Sequence, residues 1–161
     1  CAGCHGVNGV SEGQAPSIAG LSKEYLRATM LRYKEGTRYS TIMGRIARGY
    51  SEAEIEAMAE FFASKPWVAA EQRTDPELVA LGQKLHTDEH CDSCHGAVGT
   101  AVIPIIPHMA GQYVDYLYFQ MLDYVNPDVA TPISALSMVP VLKTLSDEEI
   151  RALAHFYAAN K

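Results

Sequence analysis

Four cysteines stand in two pairs of identical spacing, Cys1 with Cys4 and Cys91 with Cys94, and each pair runs straight into a histidine, His5 or His95. Four thiols in a chain of 161 residues allow two disulfides, a metal site or covalent cofactor attachment. Disulfides leave both histidines unexplained. A zinc ribbon uses two such pairs around one ion, but it needs no histidine after each, and a separation near 90 residues is long for it. Covalent haem accounts for every one of these residues. Two cysteines separated by two residues reach the two vinyl groups of one porphyrin, and the next histidine then stands over the iron. The chemistry implied is electron transfer at two haem c groups, with Cys1, Cys4, Cys91 and Cys94 as attachment points and His5 and His95 as iron ligands.

The far side of each iron needs a second ligand, and an internal repeat points to it. Pro16-Ser-Ile-Ala-Gly20 matches Pro107-His-Met-Ala-Gly111, one residue out of step with the haem motifs. At the same offset Tyr25-Leu26 falls on Tyr116-Leu117, Met30 on Met121 and Tyr33 on Tyr124. After four more inserted residues Met43 falls on Met138, Ser51 on Ser146, Ile55 on Ile150 and Phe61-Phe62 on Phe156-Tyr157. Of the six methionines, Met30, Met58 and Met121 have the spacing of helix-core residues, and the repeat partner of Met109 is Ile18. Met43 and Met138 instead share one place, in the loop before the final helix of each copy. A thioether opposite an imidazole stabilises ferrous iron, so these two are the expected distal ligands. Pro16 and Pro107 are expected to present carbonyls to the ring N–H of the ligand histidines. Arg45, with Arg38 and Arg48, is a candidate partner for haem propionates. His86, His90, His108 and His155 are expected to serve packing or the surface.

The elements that hold these residues are helices. Ser51 with Glu54, and Ser146 with Glu149, form capping boxes. Behind them Ile55, Met58, Ala59, Phe62 and Ile150, Leu153, Ala154, Tyr157 recur at the spacing of one helix face. Middle helices are predicted from about Ser22 to Tyr33 and from about Gln112 to Tyr124. Another runs from Pro76 to His86, capped by Asp75 with proline in its first turn. Ala101 to Ile106 is apolar but broken by Pro104, and strand signals are otherwise nearly absent. The fold class is therefore all-α: two tandem helical domains, each wrapped around one covalent haem. Residues 1–65 form the first, 66–75 a linker in which Trp67 packs the halves together, and 76–161 the second. A signal peptide and an N-terminal helix of the first domain are expected to precede Cys1, because this kind of haem attachment is completed outside the bacterial cytoplasm.

Composition agrees, with 48% hydrophobic and 20% charged residues and a net charge of −6. An acidic chain without a basic block argues against nucleic acid and suits a basic partner. No apolar run approaches the roughly 20 residues that span a bilayer, and no Gly-x-Gly-x-x-Gly follows a strand to hold a flavin or nicotinamide dinucleotide.

The paired layout resembles the cytochrome c4 type: the haem motif, proline before Ala-Gly, Tyr-Leu, a methionine, then a Ser-capped helix ending in an aromatic pair. The stretch Ser40-Thr-Ile-Met43-Gly-Arg-Ile-Ala-Arg-Gly-Tyr-Ser51 resembles more particularly the cytochrome subunit of flavocytochrome c sulfide dehydrogenase. The second half adds Gly82-Gln-Lys-Leu-His86 and Ala110-Gly-Gln before Tyr116-Leu117, whereas the loop from Asn126 to Met138 is richer in proline and apolar residues than that family's. The resemblance implies a periplasmic electron-transfer subunit, not itself an enzyme, that accepts electrons from a FAD-containing sulfide dehydrogenase subunit. It would pass them to a small c-type cytochrome or another acceptor. The alternative is a free di-haem shuttle of the cytochrome c4 type serving a terminal oxidase. A di-haem peroxidase needs one open iron position, against which two methionine-matched haems argue.

Overall fold

The computed structural model describes residues 1–13, 15–101 and 103–161, and Val102 of the apolar stretch lies outside them. The first half holds α1 (Ala2–His5), α2 (Lys23–Glu35), α3 (Met43–Ala47) and α4 (Glu52–Ala63). The second holds α5 (Pro76–Asp88), α6 (Asp92–His95), α7 (Val114–Val125), a 3-10 turn (Ile133–Ala135), α8 (Val139–Leu142) and α9 (Asp147–Ala159). Among the described residues there is no strand, and the all-α class read from the sequence is the one found. Both capping boxes form: Ser51 and Ser146 each donate their N–H to the glutamate three residues on at 2.7 Å. Each serine hydroxyl in turn accepts that glutamate's N–H at 3.3 Å. The short helices α3 and α8, one at each expected methionine, were not legible as helices.

Each half has its own core. In the first, Leu21, Tyr25, Leu26, Ala59 and Phe62 join α2 to α4. In the second, α5 and α7 pack on α9 around Leu85, Leu117, Tyr118, Ile150, Leu153, Phe156 and Tyr157. The α5–α9 crossing is close because Gly82 has no side chain: a methyl there would stand 2.1 Å from the Ala152 carbonyl oxygen. The repeat is visible in backbone bonds too. Gly20 donates to the Phe62 carbonyl and Gly111 to the Tyr157 carbonyl, both at 2.9 Å. Their φ angles of +70° and +74° explain why each matched Ala-Gly pair ends in glycine.

The halves are tied along a broad seam. Trp67 packs against the first core and lies 4.6 Å from the His108 ring of the second half, as expected of a residue bridging the two. Ala70 donates to the Gly111 carbonyl at 2.7 Å. The loop before Met138 docks on the first half, since Tyr39 donates its N–H to the Ala130 carbonyl and Arg32 its guanidinium to the Ser134 hydroxyl, both at 3.0 Å. Pro132 in that loop is fully buried.

At the start of α5 the Asp75 N–H donates to Nδ1 of His155 at 3.0 Å, so this ring must be neutral. Burial is the main influence holding the His155 pKa below 6.5. A depressed histidine contributes stability that is present above the unfolded value and lost as pH falls through the folded one. Urea unfolding of the haem-loaded protein should therefore show stability declining as pH falls below about 6.5, the unfolded histidine value, with His155→Gln, which can still accept from Asp75, flattening part of that decline.

Candidate haem centres

Cys1, Cys4 and His5 lie on the single turn of α1, and Cys91, Cys94 and His95 on α6, so each motif offers two thiols and an imidazole from one helical turn. None of the four cysteines is in a disulfide, and Cys1, Cys4 and Cys94 are exposed. His5 is buried, and its Nδ1 donates to the Pro16 carbonyl at 2.7 Å. A carbonyl can only accept, so the proton sits on Nδ1 and the lone pair on Nε2 is free. Burial lowers the His5 pKa against the opposing effect of that bond, which keeps the ring neutral.

In the second half, Nε2 of His95 and Sδ of Met138 face one another at 3.4 Å. They come from separate elements, His95 from α6 and Met138 from the residue that caps α8. An imidazole nitrogen and a soft thioether sulfur brought side by side are a donor set of the type that suits haem iron. Burial, with the neighbouring His86 second, pushes the His95 pKa down to about 4, so the ring is uncharged near neutral pH. Its Nδ1 is buried without a partner, so the Pro107 carbonyl does not repeat the part Pro16 plays. In the first half, Met43 opens α3, half-buried, and makes no such contact with His5 among the described residues. Arg45 is exposed.

The remaining candidates take structural places. Met109 and Met121 pack against the second core. His86 is 2% exposed and doubly bonded: its Nε2 donates to the Gly96 carbonyl and its Nδ1 accepts from the Tyr157 hydroxyl, both at 2.9 Å. It thus braces the residue that follows His95.

Sequence reasoning missed the residues that link the two centres. The Gln112 side chain is 3% exposed and clamps both backbone groups of Ser17, accepting from its N–H at 3.0 Å and donating to its carbonyl at 2.9 Å. Ser17 follows Pro16, so a residue of the second half steadies the carbonyl that orients His5. The available signal was a glutamine after the second Ala-Gly pair where the first copy has Leu21. Arg38 is also placed unexpectedly. It is 4% exposed and lies in the seam, where it donates to Gln120 of α7 at 2.6 Å.

Two helical halves, each with two free thiols and a neutral imidazole on one turn, define a c-type haem protein. Residues 1–65 and 79–159 match the cytochrome c family, and the chain belongs to it. It is 48% identical over 64 residues to the cytochrome subunit of sulfide dehydrogenase from Chlorobaculum tepidum, a match covering 40% of this chain and 58% of that relative's length. Over 98% of the chain and 77% of the relative it is 29% identical to the thiosulfate dehydrogenase electron acceptor of Stutzerimonas stutzeri. The solved cytochrome c4 of Pseudomonas stutzeri superposes with a TM-score of 0.86 at 25% identity, covering 100% of this chain and 93% of that one. The chain is a di-haem electron-transfer protein carrying two haem c groups, and no described helix is long and apolar enough to cross a membrane.

Replacing Gln112 by alanine strands the buried Ser17 N–H and carbonyl. It should destabilise the haem-loaded protein by about 1–3 kcal/mol in denaturant titrations, with both haems still attached.

Proposed function

We propose that this chain is the electron-transfer subunit of a periplasmic complex, taking electrons from a FAD-containing sulfide dehydrogenase subunit and passing them to a small c-type cytochrome or another acceptor. The observation that carries this reading is the 48% identity over 64 residues to a sulfide dehydrogenase cytochrome subunit, far above the 29% seen over the whole chain against another electron acceptor. The Ser40 to Ser51 stretch, which resembles the same kind of subunit, agrees with it.

In this reading His5 and Met43 hold one iron, and His95 and Met138 the other. Bound haem supplies a one-electron ferric–ferrous couple in each domain. The protein does the rest. Cys1, Cys4, Cys91 and Cys94 fix the porphyrins covalently. The Nδ1–H bond to Pro16 makes the His5 ring a stronger donor and fixes its orientation. The thioethers favour the reduced state and raise the potential. With protein ligands on both faces no position is open to substrate, so electrons cross at haem edges and sulfide chemistry belongs to the partner. Haem attachment of this kind is completed outside the cytoplasm, which supports the periplasmic placement.

A second reading, a free carrier, is favoured by the end-to-end likeness to cytochrome c4 and to the thiosulfate dehydrogenase electron acceptor. Gentle affinity purification from an intact periplasmic extract separates the two. A flavin-bearing subunit should accompany the chain in equal amount and reduce its haems when sulfide is added. A flavin-free monomer that sulfide leaves oxidised would contradict the proposal and favour the free carrier.

A further inference from the structure

One peptide group joins the two halves at the first haem centre. The Pro16 carbonyl, which accepts the His5 Nδ1–H at 2.7 Å, belongs to the same amide as the Ser17 N–H, which donates to Oε1 of Gln112 at 3.0 Å. Hydrogen bonds therefore run unbroken from a side chain of the second half, through one amide of the first, to the ring of an iron ligand. The partners of the Gln112 amide fix its orientation. Oε1 also accepts from the Tyr113 N–H at 3.1 Å, and Nε2 donates to the Ser17 carbonyl at 2.9 Å. A flipped amide would set donor against donor and acceptor against acceptor.

The series of bonds is buried and braced along its length. Ser17 and Gln112 are 1% and 3% exposed. The Ser17 hydroxyl accepts from the Ser11 N–H at 3.2 Å, and the Ser11 carbonyl accepts from the Tyr113 hydroxyl at 2.8 Å, a second tie across the seam. On its own side Gln112 is held at its carbonyl, which accepts from Nε2 of Gln72 at 2.8 Å. Where the dielectric is low, linked hydrogen bonds polarise one another. An acceptor on the N–H of an amide pushes electron density onto its carbonyl oxygen. That oxygen then draws the His5 Nδ1 proton more strongly and makes Nε2 a stronger donor.

The connection runs one way. The repeat places Leu21 opposite Gln112, and Leu21 lies in the first core with no hydrogen-bonding side chain to offer the second half. His95 Nδ1 has no partner to be strengthened. We propose that Gln112 is a positioning residue for the haem of the other half: by accepting from the Ser17 N–H it strengthens the bond between Pro16 and His5, and so lowers the potential of the first haem. The sign follows because a stronger imidazole donor favours ferric over ferrous iron. The inference rests on His5 as an iron ligand and does not depend on which partner delivers electrons.

Two measurements test it. In the reduced wild-type protein with both haems attached, the Nδ1 proton of His5 should lie downfield of that of His95 and exchange more slowly with solvent. Coincident positions with equal exchange would overturn the proposal. In redox titrations that resolve the two haems, Gln112→Leu, which supplies the residue of the first copy, should raise the potential of the first haem while the second moves less. Gln112→Glu keeps an acceptor for Ser17 and should hold the first haem at or below its wild-type potential. An unchanged first haem in Gln112→Leu, or a rise shared equally by both haems, would overturn the proposal. So would an equal rise in the two variants, which marks a packing role only.

Discussion

The apolar core of the first half is far smaller than that of the second, and both halves are small domains. The buried core of the first amounts to a few residues between α2 and α4, and α1 is a single turn. Small domains of this size depend on an added core element, and the covalent haem is that element. Attachment at Cys1 and Cys4, or at Cys91 and Cys94, would set a large apolar plate beside the short turns α1 and α6. Folding and cofactor binding would then be coupled.

The two halves are copies in their cores and differ where they meet. Gln112 stands where the first copy has leucine and reaches across to the backbone beside Pro16. Arg38 has no basic counterpart and is held from the far side by Gln120. The loop before Met138 leans on Tyr39 and Arg32 of the first half. Each of these contacts ties one half to the other.

Much of this was legible in the sequence, for physical reasons. The haem motifs are read directly because thioether chemistry demands that spacing. Helix positions followed from capping residues and from apolar periodicity, and the comparison of halves singled out Met138, which the structure brings to His95. The seam was not legible. Arg38 was read with Arg45 and Arg48 as a candidate propionate partner, and nothing local marks it as the one that ends buried in the seam. Gln112 is an ordinary polar residue until its amide is seen to match both backbone groups of Ser17. Pro107 failed to mirror Pro16 because backbone register, which decides whether a carbonyl reaches a ring, is not written in residue type.

The claim on which the rest depends is that each iron sits between one histidine and one methionine. Proton spectra of the fully reduced protein address it directly, since the ring current of haem shifts a coordinated methionine methyl far upfield of every other methyl. Two such methyl signals are predicted, assigned to Met43 and Met138 by their loss in the corresponding alanine variants. A single shifted methyl, or one belonging to another methionine, would contradict it.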